Sequence, residues 1–237
     1  MRILVVNDDS INSKGLKDLV VLAKELGEVT VVAPKFEQSA KSHAIDVVNG
    51  MELERVDLGL AVEAYSLDST PADCVRTAVY GLGKSFDLVL SGINSGLNLG
   101  EDIFYSGTVA AATEAAMLGI NAIALSTEVA SSEDLVSHFA LIHDFILENE
   151  LLNLHNLYNI NVPKAAKGIK ITKQGSTHFA TRFELKSNLY YQLGGPRHEK
   201  DKDNLGSDVR AIYENYISVT PLNVDRTEYS IYKKLKK

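Results

Sequence analysis

The sequence predicts an α/β protein with a largely parallel sheet flanked by helices. Short apolar runs recur at Ile3-Leu4-Val5-Val6, Val29-Thr30-Val31-Val32-Ala33, Leu88-Val89-Leu90 and Ala122-Ile123-Ala124-Leu125. They are nearly continuous rather than alternating, the pattern of strands buried on both faces. Between them lie stretches with apolar residues at helical spacing, so the chain reads as β-α-β units with right-handed crossovers. At 237 residues, of which 45% are hydrophobic and 23% charged, it can build one large core and is not a disordered chain.

The first strand runs straight into Asn7, Asp8 and Asp9. Leu16, Leu19, Val20 and Ala23 mark a helix closed near Gly27, and the strand from Val29 stops at Pro34. Residues 35–44 are polar and aperiodic, a loop carrying Ser39. Residues 45–67 contain two extended runs around Asn49-Gly50 and a break at Asp57-Leu58-Gly59, which reads as antiparallel ribbon. Thr70-Pro71-Ala72-Asp73 supplies an N-cap, a first-turn proline and a carboxylate, so a helix starts there and ends near Gly81 or Gly83. Cys74 on that helix reads as a small buried residue.

The strand at Leu88 is expected to open at Ser91 into an irregular loop, 91–100, with three glycines and the asparagines Asn94 and Asn98. A small-residue helix follows Tyr105-Ser106-Gly107-Thr108 and ends at Gly119. A strand at 121–126, a helix bearing Leu135, Phe139, Ile142 and Ile146, and a strand at 158–162 complete this part. The character changes after Pro163, so the chain divides into residues 1–163, a catalytic core, and residues 164–237, an extension. In the extension, 169–172 and 183–193 read as antiparallel strands, 194–203 as a loop, 207–215 as a short helix and 216–221 as a strand. A projecting hairpin there would serve dimer contacts. The Lys233-Lys234-Leu235-Lys236-Lys237 run reads as a solvated tail.

Open α/β sheets bind ligands beyond the carboxyl ends of their strands, where this reading puts Asp8, Asp9, Ser39, Asn94 and Asn98. Adjacent carboxylates repel unless a cation lies between them. Oxygen donors without histidine or thiolate suit a hard divalent ion, Mg²⁺ or Mn²⁺, better than zinc. Ser106, Gly107 and Thr108 open a helix whose N–H groups form an anion site that fits phosphate. A metal beside a phosphate at a helix start is the equipment of phosphoester hydrolysis. An alternative chemistry makes Asp8 a nucleophile that forms an aspartyl-phosphate. A Mg²⁺-binding phospho-signalling receiver is the other alternative, disfavoured because the strand at Leu88 lacks a terminal aspartate. A net charge of −7 argues against a nucleic-acid duplex or an anionic membrane as partner. The single cysteine excludes a disulfide framework, and neither a signal peptide nor an anchor is read in the sequence, so the cytoplasm is the expected location. His138 and His143, five apart on one helix, read as structural. His43 is a candidate substrate contact, and His178 and His198 are candidates for the rim of the site.

Several segments in order resemble the SurE survival-protein family of metal-dependent nucleotidases: Val5-Val6-Asn7-Asp8-Asp9, Thr70-Pro71-Ala72-Asp73-Cys74-Val75, Ser91-Gly92-Ile93-Asn94, Asn98-Leu99-Gly100, Tyr105-Ser106-Gly107-Thr108-Val109-Ala110 and Ser218-Val219-Thr220-Pro221-Leu222. The resemblance implies a Rossmann-like sheet and C-terminal elements exchanged between subunits in a homodimer or tetramer. It implies hydrolysis of nucleoside 5′-monophosphates, and of 3′-monophosphates as a further class. It assigns Asp8, Asp9, Ser39 and Asn94 to the metal and Asn98, Ser106, Gly107 and Thr108 to the phosphate, with Asp8, Asp9 and Asn98 acting in catalysis. Three departures mark this chain: Ser10 where the family usually has glycine, Gln38-Ser39-Ala40-Lys41 in place of a basic Arg-Ser-Gly loop, and Ser69 in place of glycine before Thr70.

Overall fold

The computed structural model describes residues 1–198 and 203–236, the side chains of 178–180 and 194–198 excepted. Strands β1 (Arg2–Val6), β2 (Glu28–Pro34), β3 (Leu53–Val56), β4 (Glu63–Leu67), β5 (Leu88–Ser95), β6 (Asn121–Thr127), β7 (Leu157–Val162), β8 (Ile169–Ile171) and β11 (Ile217–Pro221) make one sheet, ordered β3-β4-β2-β1-β5-β6-β7-β11-β8. All pairings are parallel except β3 with β4 and β7 with β11. The chain builds outward from β1 through β2 in one direction and through β5 in the other. The reversal leaves a crevice beyond the carboxyl ends of β1 and β5.

The apolar strands bury both faces. Ile3, Val5, Val31 and Leu90 point to helices α1 (Lys14–Lys24) and α4 (Ser132–Glu148), against Leu16, Leu19, Leu135 and Phe139. Leu4, Val6, Val32 and Val89 point to α2 (Pro71–Arg76) and α3 (Gly107–Met117), against Val75, Ala111, Ala112 and Ala115. The alanines let α3 lie close to the sheet. Thr70 and Ser106 cap α2 and α3 through their side chains as the sequence indicates, and Ser13 caps α1 in the same way.

Several expectations are corrected. Residues 45–48 form no strand, because the Asp46 carboxylate accepts the N–H groups of Val48 and Asn49 (2.9 Å each) and closes a local turn. The ribbon is β3 with β4, and its turn is the one at residues 57–62. Past Ser91 the chain stays in β5: after a register shift at Gly92 (φ +145°), Asn94 pairs with Ser126 and Ser95 with Thr127. Ile93, 1% exposed, anchors that stretch in the core. Beyond Arg76, α2 widens into a π turn over Thr77–Gly81. A short helix, α5 (Leu151–Leu154), was not anticipated.

In the extension, β8 lies parallel to β11 rather than in an antiparallel pair. Strands β9 (His178–Lys186) and β10 (Leu189–His198) form the expected hairpin, and β10 continues where a loop was expected from Gly194. Residues 199–202 of that expected loop lie outside the described residues. Helix α6 (Asp208–Tyr213) falls where a short helix was read. The lysine run belongs in part to a helix, α7 (Tyr229–Leu235), which buries none of its residues; Lys237 lies outside the described residues. Among the described residues no helix is long and apolar enough to cross a membrane.

Candidate active site

The site is organised by the turn after β1. Asn7, fully buried, donates from its amide to the Ser10 carbonyl (2.9 Å) and to Ser13 Oγ (2.8 Å), which folds the chain back over itself. Ser10 takes φ +90°, a conformation that favours glycine. The turn projects Asp8 toward α3 and Asp9 toward β5. Asp8 is 5% exposed; its Oδ1 accepts the Thr108 hydroxyl, and the Thr108 N–H also supports the carboxylate. Burial still pushes its pKa up to about 6, against the Thr108 hydroxyl and with the added repulsion of Asp9. Asp9, half-buried, accepts the Ser95 N–H (3.1 Å). Burial raises its pKa too, opposed by that N–H and helped by the nearby Glu37 carboxylate.

The loop after β2 is tied to the same turn, since the Gln38 N–H donates to the Asp8 carbonyl (2.8 Å). Ser39 is exposed, its hydroxyl donating to Glu37. Asn94 gives its amide nitrogen to the Gly96 carbonyl (2.7 Å), so its oxygen is the atom it can offer a cation. Among the described residues no lysine or arginine forms an ion pair with Asp8 or Asp9. No group of three histidine, cysteine, aspartate or glutamate side chains that could hold a metal occurs among them either. Two carboxylates without a counter-charge, a hydroxyl and an amide oxygen therefore fit a hard divalent cation and do not fit a zinc-type site.

At the start of α3 the Ser106 side chain accepts the Val109 N–H (3.1 Å). A Cβ on Gly107 would lie 2.8 Å from Asp8 Cβ and 3.0 Å from Pro71 Cγ, so only glycine admits the helix this close to the carboxylate. Thr108 is fully buried with both its hydroxyl and its N–H turned to Asp8, which places it as support for that carboxylate. Ser106 and the Gly107 N–H are left at the helix end that favours an anion.

Asn98 is anchored from the far strands. Its N–H donates to Asn161 Oδ1 (2.8 Å), its carbonyl accepts from the amides of Asn159 (2.9 Å) and Asn161 (3.0 Å), and its own amide donates to Ser126 Oγ (2.9 Å). Two residues on, the Gly100 N–H donates to Asp208 (3.0 Å), which also accepts the Gly175 N–H (2.8 Å) and is 1% exposed. Sequence reasoning missed these supports. The signal was available in Asn159 and Asn161: polar residues in a doubly buried strand need partners, and both are fully buried. Nothing in the sequence tied Asp208 to residue 100.

Glu114 was also missed. It is 4% exposed on α3 and accepts from Arg76 (2.9 Å), and one of its oxygens lies 2.7 Å from His43 Nε2. The His43 hydrogen bond, helped by Arg76 and opposed by burial, holds its pKa below the usual carboxylate range. Ser69, the third departure from the family pattern, donates its hydroxyl to the buried Asp73 carboxylate (2.6 Å). His138 bonds the Asp134 carbonyl (2.7 Å) and His143 lies beside Asp144, both away from the site. The side chains of His178 and His198 lie outside the described residues. Cys74 is fully buried, and burial pushes its thiol well up. Two cavities flank the crevice: one of about 300 Å³ reaches Asp9 and Asn94, and one of about 580 Å³ begins at Ser106.

A profile of the family described as Survival protein SurE matches residues 3–181. The chain is 40% identical to a protein of Alkaliphilus metalliredigens named 5′-nucleotidase SurE, over 100% of this chain and 98% of that protein. It is 41% identical to a protein of the same name from Natranaerobius thermophilus, over 99% of this chain and 97% of that protein. The crystal structure of the SurE protein from Aquifex aeolicus matches with a TM-score of 0.80 at 33% identity, covering 100% of this chain and 98% of that one. With its profile, sequence kinship and fold in agreement, the chain belongs to the SurE family of survival proteins.

Proposed function

We propose that this protein is a metal-dependent phosphomonoesterase acting on nucleoside 5′-monophosphates, with 3′-monophosphates as the next substrate class. The carrying observation is the buried Asp8 carboxylate, without a counter-charge and seated against the first turn of α3 beside Asp9. The relatives named 5′-nucleotidase support the same activity. Asp8, Asp9, Ser39 and Asn94 would hold one Mg²⁺ or Mn²⁺. Bound there, the cation would supply polarisation of the ester and an activated water.

The chain's own residues do the rest. Ser106 and the Gly107 N–H bind the phosphoryl oxygens at the positive end of α3, and Asn98 stabilises the charge that develops on them. Thr108 fixes the orientation of Asp8. The single buried cysteine suits a reducing cytoplasm. Exposed Phe183, Leu185, Leu189 and Tyr190 on the β9–β10 hairpin, with a helix α7 that buries nothing, support a homodimer or tetramer, which light scattering would resolve from a monomer.

The test is phosphate release from 5′- and 3′-nucleoside monophosphates with Mg²⁺, Mn²⁺ or chelator, on wild type and Asp9→Ala. Release that needs the metal and is lost in the variant is expected. Full activity of Asp9→Ala at limiting metal would overturn the assignment.

A further inference from the structure

Glu114 is the one charged residue on α3, buried there among alanines, and the proposed chemistry does not use it. A buried carboxylate loses solvation that its partners restore only in part, and an apolar residue in its place is often no worse for stability. Glu114 is therefore better explained by what it holds in place. One of its oxygens accepts from Arg76, and the other lies 2.7 Å from His43 Nε2. His43 belongs to residues 42–46, a strap stitched across the N-terminal ends of α2 and α3. The Ser42 N–H donates to the Tyr105 carbonyl (3.0 Å) and the Ser42 hydroxyl to the Phe104 carbonyl, both just ahead of the Ser106 cap. The Thr70 hydroxyl donates to the Ala44 carbonyl (2.7 Å), and the Asp46 N–H donates to the Asp73 carboxylate (2.8 Å).

Ser39 stands between two anchors. On one side the Gln38 N–H is bound to the Asp8 carbonyl, and on the other the strap begins at Ser42. The turn between them is closed by the Lys41 N–H on the Gln38 carbonyl (3.3 Å), with Ala40 and Ser42 at φ +57° and +58°. Ser39, Ala40 and Lys41 are exposed, so the place of this tip is set by where its two ends are fixed. We infer that Glu114, acting through His43, is the positioning residue for Ser39: it pins the strap to α3, and the strap sets where the Ser39 oxygen stands relative to the phosphate end of that helix. The inference rests on the reading of Ser39 as a metal donor and adds the groups that hold that donor. Without the pin the tip must be ordered at the moment the metal binds, which weakens binding by the entropy of ordering it.

His43→Ala removes the pin and leaves Glu114 its Arg76 partner, so no buried charge is orphaned. His43→Gln keeps a side-chain N–H that can donate to the same carboxylate. Calorimetric titration with Mn²⁺ should give a Kd about ten-fold weaker in His43→Ala and close to wild type in His43→Gln. In the metal-free proteins, amide hydrogen exchange at Ser42 and Asp46 should be fast in His43→Ala alone, with the α3 amides protected in all three. A Kd unmoved in His43→Ala overturns the inference, and a raised KM for AMP beside it would make His43 a substrate contact instead. A loss that His43→Gln does not restore, or one that comes with lost protection along α3, overturns it as well, by showing a general structural role. Weaker Mn²⁺ binding restored by His43→Gln, in a protein that releases phosphate from no ester, would uphold the strap while the phosphomonoesterase reading fell. Metal-dependent phosphate release with an unmoved Kd would do the reverse, so the two failures are distinguishable.

Discussion

Replacing Asp8 with asparagine should stabilise the metal-free protein while destroying its affinity for metal. Burial raises the Asp8 pKa from 3.8 to about 6. At about 1.4 kcal/mol per pH unit, keeping this group ionised costs the native state about 3 kcal/mol. The folded pKa lies above the unfolded one, so the native state binds more protons between about pH 4 and pH 6. Stability therefore falls as pH rises through that window, and the full cost is present above it. Asparagine keeps an oxygen for the Thr108 hydroxyl and removes the charge. With an unfolding entropy of about 2.1 cal/mol/K per residue over 237 residues, about 3 kcal/mol corresponds to a rise in Tm of about 6 °C. Differential scanning calorimetry in chelator at pH 8 should show Asp8→Asn melting above wild type, with the gap closing toward pH 4. Added Mg²⁺ or Mn²⁺ at about a thousand times Kd should reverse the order, because only wild type gains binding free energy, about 4.1 kcal/mol at that concentration. Equal or lower melting of metal-free Asp8→Asn at pH 8, or a gap that does not close in acid, would refute the claim that Asp8 is held ionised against its surroundings.

Thr108→Val removes the hydroxyl that orients Asp8. Metal affinity measured by calorimetric titration should fall about ten-fold or more, as for other outer-shell partners, and unchanged affinity would release Thr108 from that role. Ser10→Gly relieves a side chain held at φ +90° and should raise stability by about 1 kcal/mol in urea unfolding, net of the entropy glycine adds to the unfolded chain. Asn161→Leu leaves the Asn98 N–H without its acceptor. It should cost about 1–3 kcal/mol in stability and lower kcat more than metal affinity, since of the proposed metal donors Asp8, Asp9 and Ser39 lie on other segments and Asn94 is held in β5 by its pairing with Ser126.

What the sequence disclosed follows from how far each signal reaches along the chain. The doubly buried strands and the capped helices were legible because their signals are local: an apolar run, a serine or threonine before a helix, a proline in the first turn. Asp8 and Asp9 were legible because a carboxylate pair directly after a buried strand has few other uses. The turn closed by Asp46 overrode an apolar run at 45–48, a competition between a side-chain acceptor and the sheet that composition does not show. Ile93 kept a glycine-rich segment in β5 by filling the core. That Asn159 and Asn161 need partners was legible from their burial in a strand, but which groups they and Asp208 hold was hidden, because each acts across more than 60 residues on backbone groups that carry no sequence signature.

That last group bears on where the catalytic unit ends. A division at residue 163 follows the change in sequence character, yet the site depends on what lies beyond it. β11 pairs with β7 from Ser218↔Asn161 to Pro221↔Tyr158, so it covers the strand that carries Asn159 and Asn161. Asp208 clamps Gly100, two residues from Asn98. A chain ending at residue 163 would expose the edge of β7, leave Asn98 on a loop held from one side only, and remove the 221–226 wall of the larger cavity. Such a fragment should aggregate or melt without a cooperative transition, and should release no phosphate even where it binds metal at Asp8 and Asp9. A fragment that folds cooperatively and retains activity would show that residues 164–237 contribute contacts between subunits and nothing to the site. The hydrogen bonds to Asn98 and Gly100 argue the opposite, that the extension is the scaffold on which the loop carrying Asn98 is held.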